Sequence, residues 1–374
     1  MRFWKIYLAA MVLRVTYAFW NGFWGPAPGA EFDAQGFIFA ADSIANETGR
    51  FAWGSGAELY INFLALVFTV TGTSVVVASL LSVAAWSIAA TAIWRAIGVT
   101  TFGRASWKPF AIFALMPFSI AYTSIQLREP YQLMFGSLMA LSMVRVLMNG
   151  KQVYWLLLIT SAVGFGCLHG ALAVAAAVSV CMTVLCFFMI TMKQSKLIVF
   201  NIAFVISLAL LAAYFVFHYL SSLSGYDLSG GLLRSAEGYQ KGLDLNARAD
   251  YRTSIGGGLS LSSLIATCIG AFQYMLEPLP WHIASAQDGV LFIENIIRAY
   301  SLIFVLKYGG KCEAKAKGLA YLLILCYLVT EGIWSIGTVN WGTASRHHIP
   351  ATAFLVVAFG IVSSSPRHLR NRVT

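Results

Sequence analysis

The sequence predicts an all-α integral membrane protein with about ten spanning helices. Two observations lead to this class, the composition and the placement of charge. Apolar residues make up 59% of the 374 residues, charged residues only 11%, and the mean hydropathy is +0.74. A soluble domain carries about 25% charged residues, so most of the exterior of this chain must meet lipid. The basic residues lie in short loops between apolar runs, which is typical of membrane topology and not of nucleic-acid binding.

Apolar runs of the length that a bilayer requires, about 20 residues, recur along the chain. We predict spans near residues 4–20, 74–95, 109–126, 130–148, 153–170, 171–192, 197–219, 287–306, 318–338 and 349–364. Arg14 interrupts the first run and no clear cleavage site follows, so we interpret it as a retained helix rather than a signal peptide. We expect residues 1–374 to form a single membrane domain.

The distribution of charge predicts the orientation of these spans. With the N-terminus inside, the inner segments contain sixteen of the 25 Lys and Arg residues but only one acid, Glu313. Basic residues are enriched on the cytoplasmic side of membrane proteins. We therefore predict that both termini are cytoplasmic.

Two further apolar stretches, 57–71 and 259–277, do not fit this map as spans. Counting either as a crossing would place lysine-rich loops outside, so we predict that both are helices at the outer interface. A re-entrant pair of short spans is the alternative. The outer face then carries two long segments, 21–73 and 220–286, and loops of this length are usually functional or disordered.

Two acids, Glu31 and Asp33, follow the first predicted span on the outer side. A carboxylate at this position suits a general base for an acceptor hydroxyl, or a metal ligand. The alternative is an acid in a solvated loop with no chemical role.

A third acid, Glu129, lies between Arg128 and Pro130 at the junction of two predicted spans. Pro130 fits the first turn of the next helix, and Glu129 complements the dipole at its N-terminus, which explains both residues structurally. The functional alternative is a second carboxylate on the same face as Asp33, with Arg128 as a phosphate ligand.

Histidine and arginine side chains also gather at the predicted outer face. His169 lies in a glycine-rich segment at the outer end of its span, where a polar residue is either functional or simply hydrogen-bonded to a neighbour. Arg346, His347 and His348 lie at the outer mouth of the last span, where positive-inside topology does not account for them. An arginine fork suits phosphate oxygens, and histidine can hydrogen-bond or protonate a phosphate. The alternative is anchoring among lipid headgroups.

The outer segment 220–286 contains further basic residues, interspersed with acids. Arg248 and Arg252 are additional candidate ligands from this segment, although a solvated loop explains them equally well. Acids from two outer segments would then face cations from a third. Glycosyl transfer from a lipid phosphate needs both, a carboxylate to deprotonate the acceptor and cations to stabilise the departing phosphate. An enzyme should gather Asp33, Glu129 and Arg346 in one outward pocket.

Four segments carry one further pattern. They are Glu31–Ala34 after the first span, the amphipathic stretch 58–72 leading to a span that ends at Trp94-Arg95, the segment Ser124–Pro130, and Asn340–Pro350 with the pattern N-x-G-T-x-x-R-x-x-x-P. Together they resemble the GT-C superfamily of polytopic membrane glycosyltransferases and its relatives among bacterial polysaccharide polymerases.

The resemblance implies a catalytic role for Asp33, with Glu129 as its counterpart and Arg346 in contact with lipid phosphate. It also implies a polyprenyl-linked sugar donor, a glycan or lipid-linked acceptor, and a bacterial inner membrane. The first outer segment has no D-x-D motif, so the sequence leaves open whether a divalent cation takes part.

Two other classes of function remain open at this point. In a transporter or flippase for lipid-linked glycans the same charges would bind without catalysis, and polar groups would line a path at the bilayer midplane. The predicted spans contain few such groups, and no repeated halves are visible, which favours the enzyme. The second class is a non-catalytic membrane subunit of a polysaccharide assembly complex.

Overall fold

The computed structural model describes residues 2–191 and 261–365, except for positions 50, 52, 53, 55, 102–104 and 339. Regular structure within these residues is helical, without a strand. The helices, numbered here in chain order, are α1 Arg2–Phe23, α2 Asp33–Ser43, α3 Ala57–Thr71, α4 Val75–Thr100, α5 Trp107–Leu115, α6 Pro117–Tyr122, α7 Glu129–Asn149, α8 Gln152–Cys167, α9 Gly170–Thr191, α10 Leu261–Leu276, α11 Ala286–Tyr308, α12 Ala314–Gly337 and α13 Trp341–Ser363. A π-helical turn, Ile44–Thr48, continues α2.

Six helices of the described residues are long and apolar enough to cross a membrane. They are Val75–Thr100, Glu129–Asn149, Gly170–Ile190, Ala286–Lys311, Ala314–Gly337 and Trp341–Ser363. These helices fit an integral membrane protein, and each overlaps one of the predicted spans. Pro130 lies in the first turn of α7, as its position in the sequence predicted.

The other four predicted spans are not identified as spans in the structure. The first, 4–20, lies inside α1, which is less apolar and carries Arg14. The third, 109–126, is two short helices, because Pro117 has no N–H and Met116 is extended. The fifth, 153–170, ends early, since α8 has only 16 residues. The seventh, 197–219, lies outside the described residues, as does most of the outer segment 220–286.

The two stretches predicted to lie at the interface both form helices. Helix α3 has 15 residues and α10 has 16. At a rise of 1.5 Å per residue, each is about 24 Å long or less, which is shorter than a hydrocarbon core of about 30 Å. Their length is compatible with the interfacial prediction.

Helix α13 occupies the centre of the bundle. It packs against α4, α5, α7, α11 and α12. Of its most apolar 18-residue stretch, 89% is buried inside the protein, whereas the corresponding share for α9 is 28%. Its polar residues therefore face other helices and not lipid. Side-chain caps fix where the long helices begin: Asn340 Oδ1 accepts from Thr343 N at 2.7 Å, and Ser285 Oγ accepts from Asp288 N at 3.2 Å.

The helix ends form two groups, one at each end of α13. At one end the backbone N–H of Ser106, before α5, donates to Ser364 Oγ, after α13, at 2.7 Å. At the opposite end the first turns of α2 and α7 meet the second turn of α13. This second end contains the candidate functional residues.

Candidate active site

One arginine joins two carboxylates that are distant in sequence. Arg346 Nη1 donates to Asp33 Oδ2 at 2.8 Å, while Nη2 and Nε donate to the same oxygen of Glu129, Oε1, at 2.9 and 3.1 Å. Asp33 is the first residue of α2 and Glu129 the first of α7, so both carboxylates also complement a helix N-terminus. Three elements are thereby tied together at one end of the bundle.

The two carboxylates differ in their access to solvent. The side chain of Asp33 is 57% exposed, whereas that of Glu129 is 3% exposed. The second oxygen of Glu129, Oε2, is buried and has no hydrogen-bond partner among the described residues. Phe32 precedes Asp33 with a φ of 45°, a strained value for a bulky side chain and one that concentrates at functional sites. Asp33 is thus reachable, and Glu129 is a buried charge that depends on Arg346.

Arg128 is the cation of this cluster that has no acidic partner among the described residues. Within that part of the chain its one hydrogen bond is a long one, 3.5 Å from Nη1 to the carbonyl oxygen of Leu168. Its guanidinium lies 5.5 Å from the centre of the Phe37 ring, and its Nε is buried without a hydrogen bond to any described residue. A partly buried guanidinium whose donors these residues leave unused is suited to bind an anion.

Two of the predicted histidines contact the same tryptophan. The ring of His347 stacks on that of Trp334, with centroids 3.8 Å apart and an angle of 18° between the planes. The ring of His169 is tilted by 50° to that of Trp334, with centroids 4.4 Å apart. Nδ1 of His169 accepts from the N–H of Ala171 at 3.2 Å. Burial and the nearby charge of Arg128 lower the pKa of His169 to about 3. His169 is therefore neutral at physiological pH and keeps its Nε2–H as a donor.

The second histidine beside Trp334, His347, forms its hydrogen bond at the end of α12. Its Nδ1 lies 2.9 Å from Thr338 Oγ1, and that hydroxyl donates to the carbonyl of Trp334 at 2.8 Å. Because the hydroxyl has one proton to give, it accepts from His347 Nδ1.

The adjacent histidine, His348, points elsewhere. Its Nδ1 lies 2.6 Å from Glu331 Oε2 and its Nε2 lies 3.1 Å from the carbonyl oxygen of Tyr274, all inside the bundle. Both of its ring nitrogens are therefore used by protein groups.

Glu31 is exposed and its side chain forms no hydrogen bond with the described residues. Arg248 and Arg252 lie outside the described residues.

Several residues of this end were not singled out in the sequence. Trp334 and Thr338 lie four residues apart on one face of α12, a spacing that could have marked them as neighbours. The Tyr122 hydroxyl and Ser345 Oγ are 3.0 Å apart directly beside the Arg346 cluster. Nothing local in the sequence connects that pair.

Within the part of the chain that the structure describes, no three His, Cys, Asp or Glu side chains are grouped as a metal site requires. No protein-family model matches this chain, and no curated protein sequence matches it significantly.

Proposed function

We propose that this chain is a membrane glycosyltransferase or glycan polymerase acting on polyprenyl-phosphate- or pyrophosphate-linked sugars at the extracytoplasmic face. The observation that supports this best is the junction of Asp33 and Glu129 on Arg346, next to Arg128, which has no acidic partner among the described residues. Transfer from a lipid phosphate requires a carboxylate and a cation in one place. The cluster offers both.

The proposal includes a GT-C-like architecture with about ten spans, a bacterial inner membrane and cytoplasmic termini. The partners are a polyprenyl-linked donor and a glycan or lipid-linked acceptor. Both would approach from the end of the bundle where the cluster lies.

Asp33 is the candidate general base, because it is the accessible carboxylate of the pair. In the reaction the acceptor oxygen attacks the anomeric carbon of the donor. The bond from that carbon to the phosphate oxygen breaks, and the acceptor proton passes to the carboxylate of Asp33. Arg346 holds that carboxylate from one side and leaves the rest of it exposed.

Arg128 is the candidate ligand of the departing phosphate. The negative charge that develops on the leaving oxygen is stabilised by a preorganised cation, and the Arg128 guanidinium is such a cation. Neutral His169 can add an N–H donor. Arg346 was the phosphate ligand expected from the sequence, but each of its three nitrogens donates to a carboxylate. We therefore propose that Arg346 orders the two acids instead.

A reconstituted assay tests the proposal. The purified protein is placed in liposomes with a radiolabelled polyprenyl-phosphate sugar and an acceptor glycan, and formation of a glycosidic bond is measured. Asp33→Asn should lower turnover by roughly 10²–10⁴ while the protein remains folded. Glu31→Gln is the matched comparison, because Glu31 is a neighbouring exposed acid whose side chain forms no hydrogen bond with the described residues. If Asp33 is the base, Glu31→Gln should leave turnover unchanged. Equal turnover of wild type and Asp33→Asn would refute the assignment.

One observation bears on the transporter alternative. The described helices contain buried charges, among them Arg14, Glu294 and Arg298, and a broken helix, features that transporters use for binding. Each of these charges is bound to protein groups, however, and the adjoining cavity has room for about one water molecule. A lipid-linked glycan does not fit there. Movement of labelled lipid across the liposome membrane without any glycosidic bond would nevertheless favour a flippase.

A further inference from the structure

The break between α5 and α6 leaves two backbone groups without their helical partners. In a continuous helix the N–H of Phe118 would donate to the carbonyl oxygen of Ala114. Met116 is extended instead, with φ −62° and ψ 124°, and Pro117 begins the next helix. Inside a membrane protein such groups must find other partners.

A buried arginine satisfies the carbonyl. Arg14 Nη1 donates to the carbonyl oxygen of Ala114 at 2.9 Å, Nε to Thr123 Oγ1 at 2.9 Å, and Nη2 to Ser119 Oγ at 3.3 Å. Its guanidinium lies 3.7 Å from the centre of the Trp86 ring, and none of the residue is exposed. Arg14 thus bridges the last turn of α5 and both ends of α6.

A buried carboxylate satisfies the N–H. Glu294 Oε1 accepts from Phe118 N at 2.8 Å, and its other oxygen lies 3.8 Å from Arg298 Nη1, one turn along α11. A small cavity borders this pair. It is lined by Phe113, Met116, Ser119, Glu294, Arg298, Ser345, Ile349 and Thr352. The two groups that would have bonded to each other are therefore held apart by charged side chains from α1 and α11.

The broken helix leads directly to the candidate active site. Helix α6 ends at Tyr122, whose hydroxyl contacts Ser345, the residue before Arg346. Further on, Gln126 Oε1 accepts from Asn21 Nδ2 at 2.6 Å and from Ser79 Oγ at 3.2 Å. The segment 123–128 is thereby fixed just before its start, at Tyr122, and again at Gln126, three residues before Glu129.

We propose that Arg14 and Glu294 are positioning residues. Pro117 breaks the helix, and Arg14 and Glu294 hold the two halves in the observed arrangement. That arrangement sets the reach of the segment 123–128 and hence the place of Glu129 against Arg346. A shift of Met116 toward helical geometry would shorten the path, because a helical residue advances 1.5 Å and an extended one about 3.3 Å. A displacement of that size is enough to separate Glu129 from Arg346.

The test measures the coupling between Glu129 and Arg346 and needs no substrate, so it does not depend on the proposed transferase activity. Melting temperatures are measured in nanodiscs for the full chain, for Glu129→Gln, for Arg346→Gln and for the double variant. In the wild-type background, the melting temperature of the double variant should fall by less than the sum of the decreases in the two single variants. The same cycle is then repeated in the Arg14→Lys and Glu294→Ala backgrounds. In these two backgrounds, the non-additive part of the change in melting temperature should fall by more than half.

Two controls separate positioning from general destabilisation. Leu158→Ala, a buried change in α8 away from the break, should lower the melting temperature without reducing the coupling. Glu294→Gln retains an oxygen that can accept from Phe118, so it should keep more of the coupling than Glu294→Ala. If Glu294→Ala does not fold, Arg14→Lys carries the same test, because lysine keeps the charge but has one nitrogen in place of the three that bond Thr123, Ala114 and Ser119. Coupling that survives in Arg14→Lys as fully as in Leu158→Ala would overturn the proposal.

Discussion

Replacing Arg346 by glutamine should destabilise the protein mainly through Glu129. The substitution leaves the Glu129 carboxylate buried, with its side chain 3% exposed and its second oxygen already without a partner. Removing one partner of a buried ion pair costs about 3–5 kcal/mol, because the remaining charge is uncompensated. Asp33 is 57% exposed and water can replace the arginine there, so this second pair contributes about 1 kcal/mol or less.

The expected order of stability follows from this asymmetry. Arg346→Gln should lose about 3–5 kcal/mol and Asp33→Asn less than about 1 kcal/mol. Adding Glu129→Gln to Arg346→Gln removes the stranded charge, so the double variant should be more stable than Arg346→Gln alone. Arg346→Lys should fall between wild type and Arg346→Gln, since one ammonium group cannot reach both carboxylates.

Denaturant unfolding in detergent micelles, followed by tryptophan fluorescence, measures these free energies. The chain contains 11 tryptophans, which makes the signal strong. Similar losses for Arg346→Gln and Asp33→Asn would show that burial of Glu129 does not control the energetics. A double variant no more stable than Arg346→Gln would refute the reasoning as well.

Two further predictions concern His169 and the topology. Because the pKa of His169 is lowered to about 3 from its ordinary value of 6.5, the unfolded chain takes up a proton that the folded chain does not as the pH falls below about 6.5. The melting temperature of the wild type should therefore fall more than that of His169→Gln between pH 7 and pH 5, by a few degrees at most, and parallel pH profiles would contradict the shift. A cysteine placed at Thr343 should react with an impermeant reagent added outside intact cells, while one at Glu313 should not; labelling of the latter would invert the predicted orientation.

The candidate site shows how far the sequence could lead. Asp33, Glu129 and Arg346 were selected because each is a charged residue on the predicted outer side. The division of roles among the cations was not accessible in this way. The sequence does not distinguish Arg128 from Arg346. In the structure Arg346 lies between two carboxylates, whereas Arg128 has no acidic partner among the described residues. Neighbouring His347 and His348 diverge because successive residues on a helix point about 100° apart.

The sequence by itself determined the membrane class, the approximate positions of the six long helices and the start of α7 at Glu129-Pro130. These features depend on apolar runs and on local proline chemistry. Both can be identified within a stretch of about 20 residues, without knowledge of the tertiary structure. Only the tertiary structure decided how the break at Pro117 in the predicted span 109–126 is satisfied, since the partners of the freed backbone groups, Arg14 and Glu294, come from other helices. It likewise decided that Arg346 binds acids 313 and 217 positions away in the chain, because packing around the central helix α13, and no local pattern, brings those helix ends together.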